Sequence, residues 1–368
     1  MSHEVAVSRT IAAAPDDVWA VLTDVARWSS LLRQVVSVQV LTPGEYAVGT
    51  RWRETRSMFG RDATQELWVT EVEAPRRTVL GSEFGGMTYR MEHLLEPSGD
   101  HTDSRPRTRV TVRLQSDESE DETLWLWRVL GALGSRATQE SIAQDLADLA
   151  GAVERPETRD MLVIHRLFTR ELAAGPDLVR GVPAGDLHRA GVVADHLAVV
   201  LNTLVDHHHG EDVLIWPLLA ERTTIAPDLS ARLDEQHEQI HADIIEARIL
   251  MTRWLEAADG GVRDQLAELV TSLGAEIRDH LETEENEILP LIEQHLTRVE
   301  YERLVAHGRE SLPRDKAAMI VQLFLEGANR SERTLLLNDY PPAMQLFIRT
   351  VGARQYRRYV RRLRARGQ

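Results

Sequence analysis

Cysteine is absent from the 368 residues, which removes disulfides, zinc–thiolate sites, iron–sulfur clusters and thiol catalysis together. Any metal this chain holds must be held by nitrogen and oxygen. Lysine is almost absent too: Lys316 is the only one, and arginine is used elsewhere, a bias that reflects genome composition rather than function. No apolar run reaches the roughly 18–20 residues of a membrane helix, so no membrane span is expected. The opening MSHEVAVSRTIAAAPDDVW has no basic region followed by a hydrophobic core. No secretory signal is therefore expected, and the expected location is cytoplasmic. A net charge of −15 argues against nonspecific nucleic-acid binding. The exception is the arginine-rich end, RQYRRYVRRLRARGQ, which reads as a terminal amphipathic helix with Tyr356, Val360 and Leu363 packed inward.

The chain is too long for one ordinary hydrophobic core, so more than one domain is expected. At 43% hydrophobic and 27% charged it has the composition of a globular protein. Its first part mixes two periodicities. EVAVSRTIAA alternates at period two, and APDDVWAVLTDVARWSSLL then shifts to helical spacing, with Pro15 and Asp16 as opening signals. Alternating stretches follow from about residue 35 to 114: VSVQVL, GTRWRETRSM, ATQELWVTEVE, RTVLGSE, GGMTYRMEHLLEP and RTRVTVRLQS. Gly, Pro and Asp separate them, as in an antiparallel meander. An apolar helix, roughly 123–153 and containing LWLWRVLGALG, closes this part. A strand, a helical pair, six more strands and a long helix form an order that resembles the START-like, helix-grip superfamily of polyketide cyclases and small-ligand carriers, over residues 1–153. The resemblance implies a curved sheet wrapped round the long helix, enclosing an apolar cavity that Trp28, Met58, Trp68, Met87 and Trp125 could line. No acid–base or nucleophile constellation is legible in this part.

From about Glu157 the pattern is helical throughout, with helices expected near 157–174, 186–221, 227–258 and 262–295 and shorter ones beyond. AAGPDLVRGVPAGD and AADGG read as loops. Of the fourteen histidines, nine lie between His165 and His280. Residues four apart share a helix face, and His207–Glu211, His237–His241 and His280–Glu284 have that spacing on three consecutive helices. His165, in VIHRLFTREL, adds an imidazole from the helix before them. An internal echo strengthens the pattern: HHHGEDVLIWPLL (207–219) and HLETEENEILPLI (280–292) superpose without a gap. His207 falls on His280, Glu211 on Glu284, Asp212 on Glu285 and Pro217 on Pro290. The echo selects His207 as the partner of Glu211. At about 100° per residue, His208 and His209 turn away from it, so His208 reads as a flanking group and His209 as solvated. His196 is eleven residues before His207 and shares its stripe, as a core hydrogen-bonding group or a guard of an access channel. His188, His295 and His307 read as surface or capping residues, and Trp216 and Trp254 as core.

Five imidazoles and two carboxylates are too many donors for one zinc ion, which usually stops at four, but suit two metals bridged by carboxylates. The set is imidazole-rich with His-x-x-x-Glu spacing, unlike the carboxylate-rich Glu-x-x-His pattern of ferritin-like di-iron bundles. At these residues the chain resembles the hemerythrin-like (HHE) cation-binding family. The resemblance implies a non-haem diiron centre, with His237, His241 and His280 on one iron, His165 and His207 on the other, and Glu211 and Glu284 bridging. Glu285 is the alternative to Glu284, because the family's oxygen carriers close the site five residues after the last histidine. The expected architecture is therefore two-domain: an α+β helix-grip (START-like) fold over 1–153, and an all-α hemerythrin-like four-helix bundle over 157–297 with a helical extension over 298–368. The expected function is a diiron protein that binds or senses dioxygen or a related small oxidant, fused to a module for a hydrophobic small molecule. Its expected cofactor is two iron ions, with another divalent metal as the alternative. Two other readings stand beside it: a diiron redox enzyme acting on peroxide or an organic substrate, and a carrier or cyclase regulated by the metal bundle.

Overall fold

The computed structural model describes residues 3–58, 61–84, 87–98, 106–116, 125–338 and 340–365. It divides into two compact units, Met1–Arg155 with Thr297–Val299, and Pro156–Leu296 with Glu300–Gln368.

The first unit is a seven-stranded antiparallel sheet with helices on one face. Its strands are β1 (His3–Ile11), β2 (Val35–Val40), β3 (Arg51–Met58), β4 (Arg61–Glu73), β5 (Arg77–Phe84), β6 (Met87–Pro97) and β7 (Thr108–Ser116). The sheet order is β1-β7-β6-β5-β4-β3-β2. The first strand thus pairs with the last, and hairpins join the rest as the alternating stretches require. Between β1 and β2 lie α1 (Pro15–Thr23) and the short α2 (Trp28–Leu31). Pro15 opens α1, and Asp16 and Asp17 in its first turn face the positive end of the helix dipole. The closing helix α3 (Trp125–Val153) buries Ile142, Leu146, Leu149 and Val153 at intervals of four, three and four residues. These pack with Trp28, Trp52, Leu67, Val69 and Val110 in one core.

Strand alternation corrects one expectation. Leu67 and Val69 are buried, so Trp68 between them points to the opposite face. There its indole covers Gly81, where an added Cβ would sit 2.6 Å from Nε1, and Arg51 lies 5.3 Å over the ring. Trp28 does line the interior cavity. The side chains of Met58, Met87 and Trp125, expected there too, lie outside the described residues.

The second unit is built on α4 (Arg159–Arg180), α5 (Leu187–Leu214), α7 (Pro227–Ala257) and α8 (Gly260–Thr283), with α6 (Trp216–Arg222) and α9 (Leu289–His295) continuing α5 and α8. α4 packs on α5 and α8, and α7 on α5 and α8, which closes a four-helix ring. Phe168, Leu201, Trp254, Val270 and their neighbours fill it. The connections follow the sequence: the Asp186 side chain caps α5 through Arg189 N, Ala258 turns left-handed to end α7, and Asp259 caps α8. The segment from Ala173 to Arg180, expected as loop, is helix instead. Buried Leu172, Pro176 and Val179 prolong the apolar stripe of α4, and the helix accommodates Pro176 inside it. Beyond α9 the chain forms α10 (Arg298–Ser311), α11 (Ala317–Glu326), α12 (Arg330–Asn338), α13 (Pro342–Phe347) and α14 (Ala353–Arg364). On α14 Leu363 is buried, and Tyr356, Tyr359 and Val360 are half-buried. Tyr359, which the sequence pattern did not single out, meets His196 Nδ1 at 2.5 Å.

Candidate metal centre

The internal echo has a structural meaning. In both copies the regular helix bearing the histidine is interrupted at or just after the glutamate and restarts at the shared proline. α5 stops at Leu214 and α6 begins with Trp216-Pro217; α8 passes through a π-helical turn, Glu284–Ile288, before α9 begins with Leu289-Pro290. A single π turn inside an α-helix is often found at functional sites, and this one starts at Glu284; a second lies at Ile348–Gly352, away from the histidines.

The side chains meet in two groups within the bundle. His165, His207, Glu211 and Glu284 form one, and His208, His237 and His280 the other. In each group one donor atom per residue lies within 4.8 Å of the rest. Glu284 reaches toward both groups: its Oε2 is 3.6 Å from His165 Nε2 and its Oε1 is 3.4 Å from His280 Nε2. Glu211 Oε1 lies 3.4 Å from His207 Nε2. The imidazoles are packed ring on ring, with His165 and His207 centroids 5.4 Å apart, His208 and His237 stacked at 4.6 Å, and His208 and His280 at 5.0 Å.

Six of the seven residues singled out from the sequence come together here, and His241 does not. The buried stripe of α7 runs Leu233, Ile240, Ile244 and Ala247, so one turn on from His237 the inward position is taken by Ile240, three residues on. His241 is rotated off the stripe and exposed. Its expected place is filled by His208, which is buried rather than flanking the site. Consecutive residues on a helix diverge by about 100°. His207 and His208 straddle the inward direction of α5, one reaching His165 and the other His237 and His280. His209 is exposed as expected, its ring 5.7 Å from that of His307.

The donor atoms fit a bound cation. The Nε2 atoms of His165, His207, His208, His237 and His280, and one carboxylate oxygen each of Glu211 and Glu284, are buried without a hydrogen-bond partner. Leaving buried polar atoms unpaired costs about 1–3 kcal/mol apiece, and a bundle core that collects seven of them needs something to pair them. The far sides of the rings are held. His165 Nδ1 lies 3.0 Å from Glu285 Oε1, His237 Nδ1 3.3 Å from Asp212 Oδ1, and His280 Nδ1 3.3 Å from Gln236 Oε1. An acceptor at Nδ1 puts the ring proton there and leaves the Nε2 lone pair for a metal. Glu285, the alternative ligand, thus orients His165 instead, with its side chain 37% exposed.

Electrostatics agree. Burial, and then the neighbouring His165, push His207 down to about 3. Burial and the adjacent imidazoles hold His208 well below the usual histidine value, and burial and His280 lower His237. These rings are therefore neutral near pH 7, the form a metal requires. Burial, reinforced by the Glu284 charge, holds Glu211 well above the usual carboxylate range. Burial works the same way on Glu284, and only protonated imidazoles, His280 first and then His165 and His207, would outweigh it and hold Glu284 low.

The first unit carries a polar cluster that the sequence pattern did not reveal. A cavity of about 60 Å³ has Trp28, Leu67 and Met91 in its wall together with Glu54, Arg56, His93 and Asp145. Arg56 donates to Glu54, and to Asp145 at 2.7 Å. Glu54 Oε2, Asp145 Oδ1 and His93 Nδ1 are buried and unpartnered. Burial raises Asp145 to about 6 against the pull of Arg56, and burial, helped by the Arg56 charge, lowers His93 to about 4. The cluster comes from β3, β6 and α3, too far apart in sequence for any local spacing to expose it.

Comparison with known proteins places both units. Residues 2–154 match the family described as polyketide cyclase / dehydrase and lipid transport, and residues 157–292 match the hemerythrin HHE cation binding domain. The chain thus joins a START-like domain to a hemerythrin HHE domain. Among solved structures it is similar to a START superfamily protein from Mycobacterium smegmatis, at 12% identity over 41% of this chain and 97% of that one, with a TM-score of 0.34. It is also similar to the Zhui aromatase/cyclase from Streptomyces sp. R1128, at 18% identity over 41% and 93% of the two chains, TM-score 0.34. A third is a protein from Thermus thermophilus, at 22% over 40% and 94%, TM-score 0.34. No curated protein matches the chain. No helix among the described residues is long and apolar enough to cross a membrane.

Proposed function

We propose that the helical unit is a hemerythrin-type centre holding two iron ions, and that it binds or senses dioxygen or a related small oxidant. The observation that carries the reading is the set of seven buried, unpartnered donor atoms in two abutting groups. In this assignment His208, His237 and His280 hold one ion, and His165, His207 and Glu211 the other. Glu284, with one oxygen toward each group, bridges. When bound, the metal supplies the redox capacity that protein side chains lack. The chain's own residues fix the imidazole tautomers through Glu285, Asp212 and Gln236, and keep water out by packing Phe168 against His207. The donor set contains no thiolate and suits iron, manganese or zinc, and the choice of iron rests on the likeness to the hemerythrin HHE domain.

The START-like unit is proposed to bind a small molecule whose apolar body lies against Trp28 and Leu67 and whose hydrogen-bonding group meets Glu54, Asp145 or His93. Metal analysis of aerobically purified protein, with an optical spectrum recorded before and after anaerobic reduction and readmission of air, tests the first proposal. About two irons per chain and a reversible visible absorption change are expected. About one zinc and no iron would sink the diiron reading.

A further inference from the structure

A cavity of about 110 Å³ lies inside the helical unit, and His207 is part of its wall. The rest of its lining comes from α4, from Thr203 and Asp206 on α5, and from the extension beyond the bundle, with Leu304 on α10, Val321 and Phe324 on α11, and Leu336 on α12. α10 is seated directly on the turn of α5 between His207 and Glu211. It gets that close because residue 210 is glycine: a Cβ there would lie 2.8 Å from Leu304 Cδ1 and 2.9 Å from His307 Cδ2. His307 lines the same cavity, and its Nε2 is buried without a hydrogen-bond partner. The expectation of a surface or capping role for it is thereby corrected.

These features suit something larger than a diatomic, which would leave most of the space empty. Water is a poor occupant of most of it, because a buried water needs two to four polar partners and the surface facing the cavity is mostly apolar, with Asp160, Thr203, Asp206 and Arg309 among the polar exceptions. Cavities of roughly 150 Å³ lined by Leu, Ile and Phe stay dry and take up benzene. The present one is somewhat smaller and, apart from His207, whose Nε2 belongs to the donor group, has the His307 Nε2 to satisfy. We propose that it binds a small, largely apolar molecule of about the size of phenol, with a hydroxyl group on His307 Nε2 and its body beside His207. The inference rests on the reading of His207 as a metal ligand only for its meaning: it makes the extension the part of the chain that holds an organic co-substrate or effector at the metal centre.

The test uses the full chain, freed of metal, titrated with 4-fluorophenol and followed by fluorine-19 NMR. A dissociation constant on the order of 0.1–1 mM is expected for a ligand of this size. Val321→Phe and Leu336→Trp, either of which fills the cavity, are each expected to weaken binding at least tenfold. His307→Leu should weaken 4-fluorophenol several-fold and leave fluorobenzene unaffected. In protein shown to carry cobalt(II), the bound fluorine signal should broaden, because His207 is in the wall. Failure of the wild type to bind at about 5 mM overturns the proposal, as does binding that both filling variants retain or that cobalt(II) leaves sharp. Metal content of wild type and filling variants is measured in parallel and should be equal. Protein that takes up 4-fluorophenol but no metal would refute the metal centre and leave the cavity assignment standing. Uptake of metal without 4-fluorophenol would do the reverse.

Discussion

Replacing His208 and His241 by alanine, one at a time, separates the three-dimensional arrangement from the sequence pattern. His208 is one of three imidazoles in its group, with its ring 4.6 Å from His237 and 5.0 Å from His280. Without it, only two imidazoles and a shared carboxylate remain. Loss of a group that merely orients a ligand costs 10–100-fold in metal affinity, so loss of the donor itself should cost at least 100-fold, about 2.7 kcal/mol. At a metal concentration a hundred times the dissociation constant, binding stabilises the native wild type by about the same 2.7 kcal/mol. For a unit of this size that is a rise in Tm of about 5–10 °C. The rise should nearly vanish in His208→Ala. His241 is exposed and touches neither group, so His241→Ala should keep both the metal and the rise, and change stability by no more than about 0.5 kcal/mol. The metal-induced shift is the proper reading, because the metal-free stability of His208→Ala mixes two opposed effects. A cavity is created, but an unpartnered buried nitrogen is also removed. Elemental analysis and calorimetry with and without metal give both quantities. A His241→Ala protein that loses half its metal, or a His208→Ala protein that keeps all of it, would refute the assignment.

Three further outcomes are expected. Glu285→Ala removes the acceptor 3.0 Å from His165 Nδ1, so the group containing His165 should lose about 10–100-fold in metal affinity, read by competition with a chelator. Asp145 and His93 oppose one another in acid. Asp145 titrates near 6 folded and near 3.8 unfolded, so its protonation favours the native state, fully below 3.8, and that gain is lost as pH rises through 6. His93 titrates near 4 folded and near 6.5 unfolded, so its contribution is present above 6.5 and is lost as pH falls through 4. Each is worth about 3 kcal/mol at most, so their effects largely cancel between pH 4 and 6. Asp145→Asn should uncover the histidine branch: urea denaturation at pH 7 and 4.5 should show the variant losing stability to acid relative to wild type. A wild-type-minus-variant difference that is flat with pH would contradict this. Gly81→Ala should cost about 1–3 kcal/mol, because its Cβ would press the Trp68 indole at 2.6 Å; a neutral substitution in the same denaturation assay would show that the indole moves freely.

In the START-like unit, all seven strands were legible because they alternate and are set off by Gly, Pro or Asp, and the closing helix because a long apolar helical run follows the last of them. Which residues face the cavity was only partly legible. Size nominates tryptophan and methionine as lining, yet the period-two pleat decides the matter, and Trp68 lies between two buried aliphatics on the wrong parity. The same parity carries Glu54 and Arg56 inward beside Trp52 on β3. Charged residues on an alternating strand normally mark its solvent face. These two are inward because Asp145 on α3 and His93 on β6 meet them there, and pairings across 37 to 91 residues leave no local trace.

In the helical unit, the four-residue spacings picked out six residues that the structure brings together, and His241, which it does not. Spacing on a single helix says which residues share a face. Which face is inward is set by the apolar stripe around them, and for α7 that stripe runs through Ile240 rather than His241. The converse error concerned His208. A helix facing a single metal atom would present one residue per turn, and its neighbour would point away. A centre with two groups of donors is wide enough that two consecutive residues, fanned by about 100°, each face one half of it. The echo between 207–219 and 280–292 could not reveal this, because residue 281, which falls on His208, is the buried Leu281. The two halves of the bundle therefore contribute unequally: α5 supplies two imidazoles and a carboxylate, and α8 one imidazole and a carboxylate placed on a π turn between the groups. The asymmetry puts three imidazoles in one group and two beside two carboxylates in the other. The latter is the group that borders the cavity under α10 through His207, so any molecule occupying that cavity meets the group with fewer imidazoles.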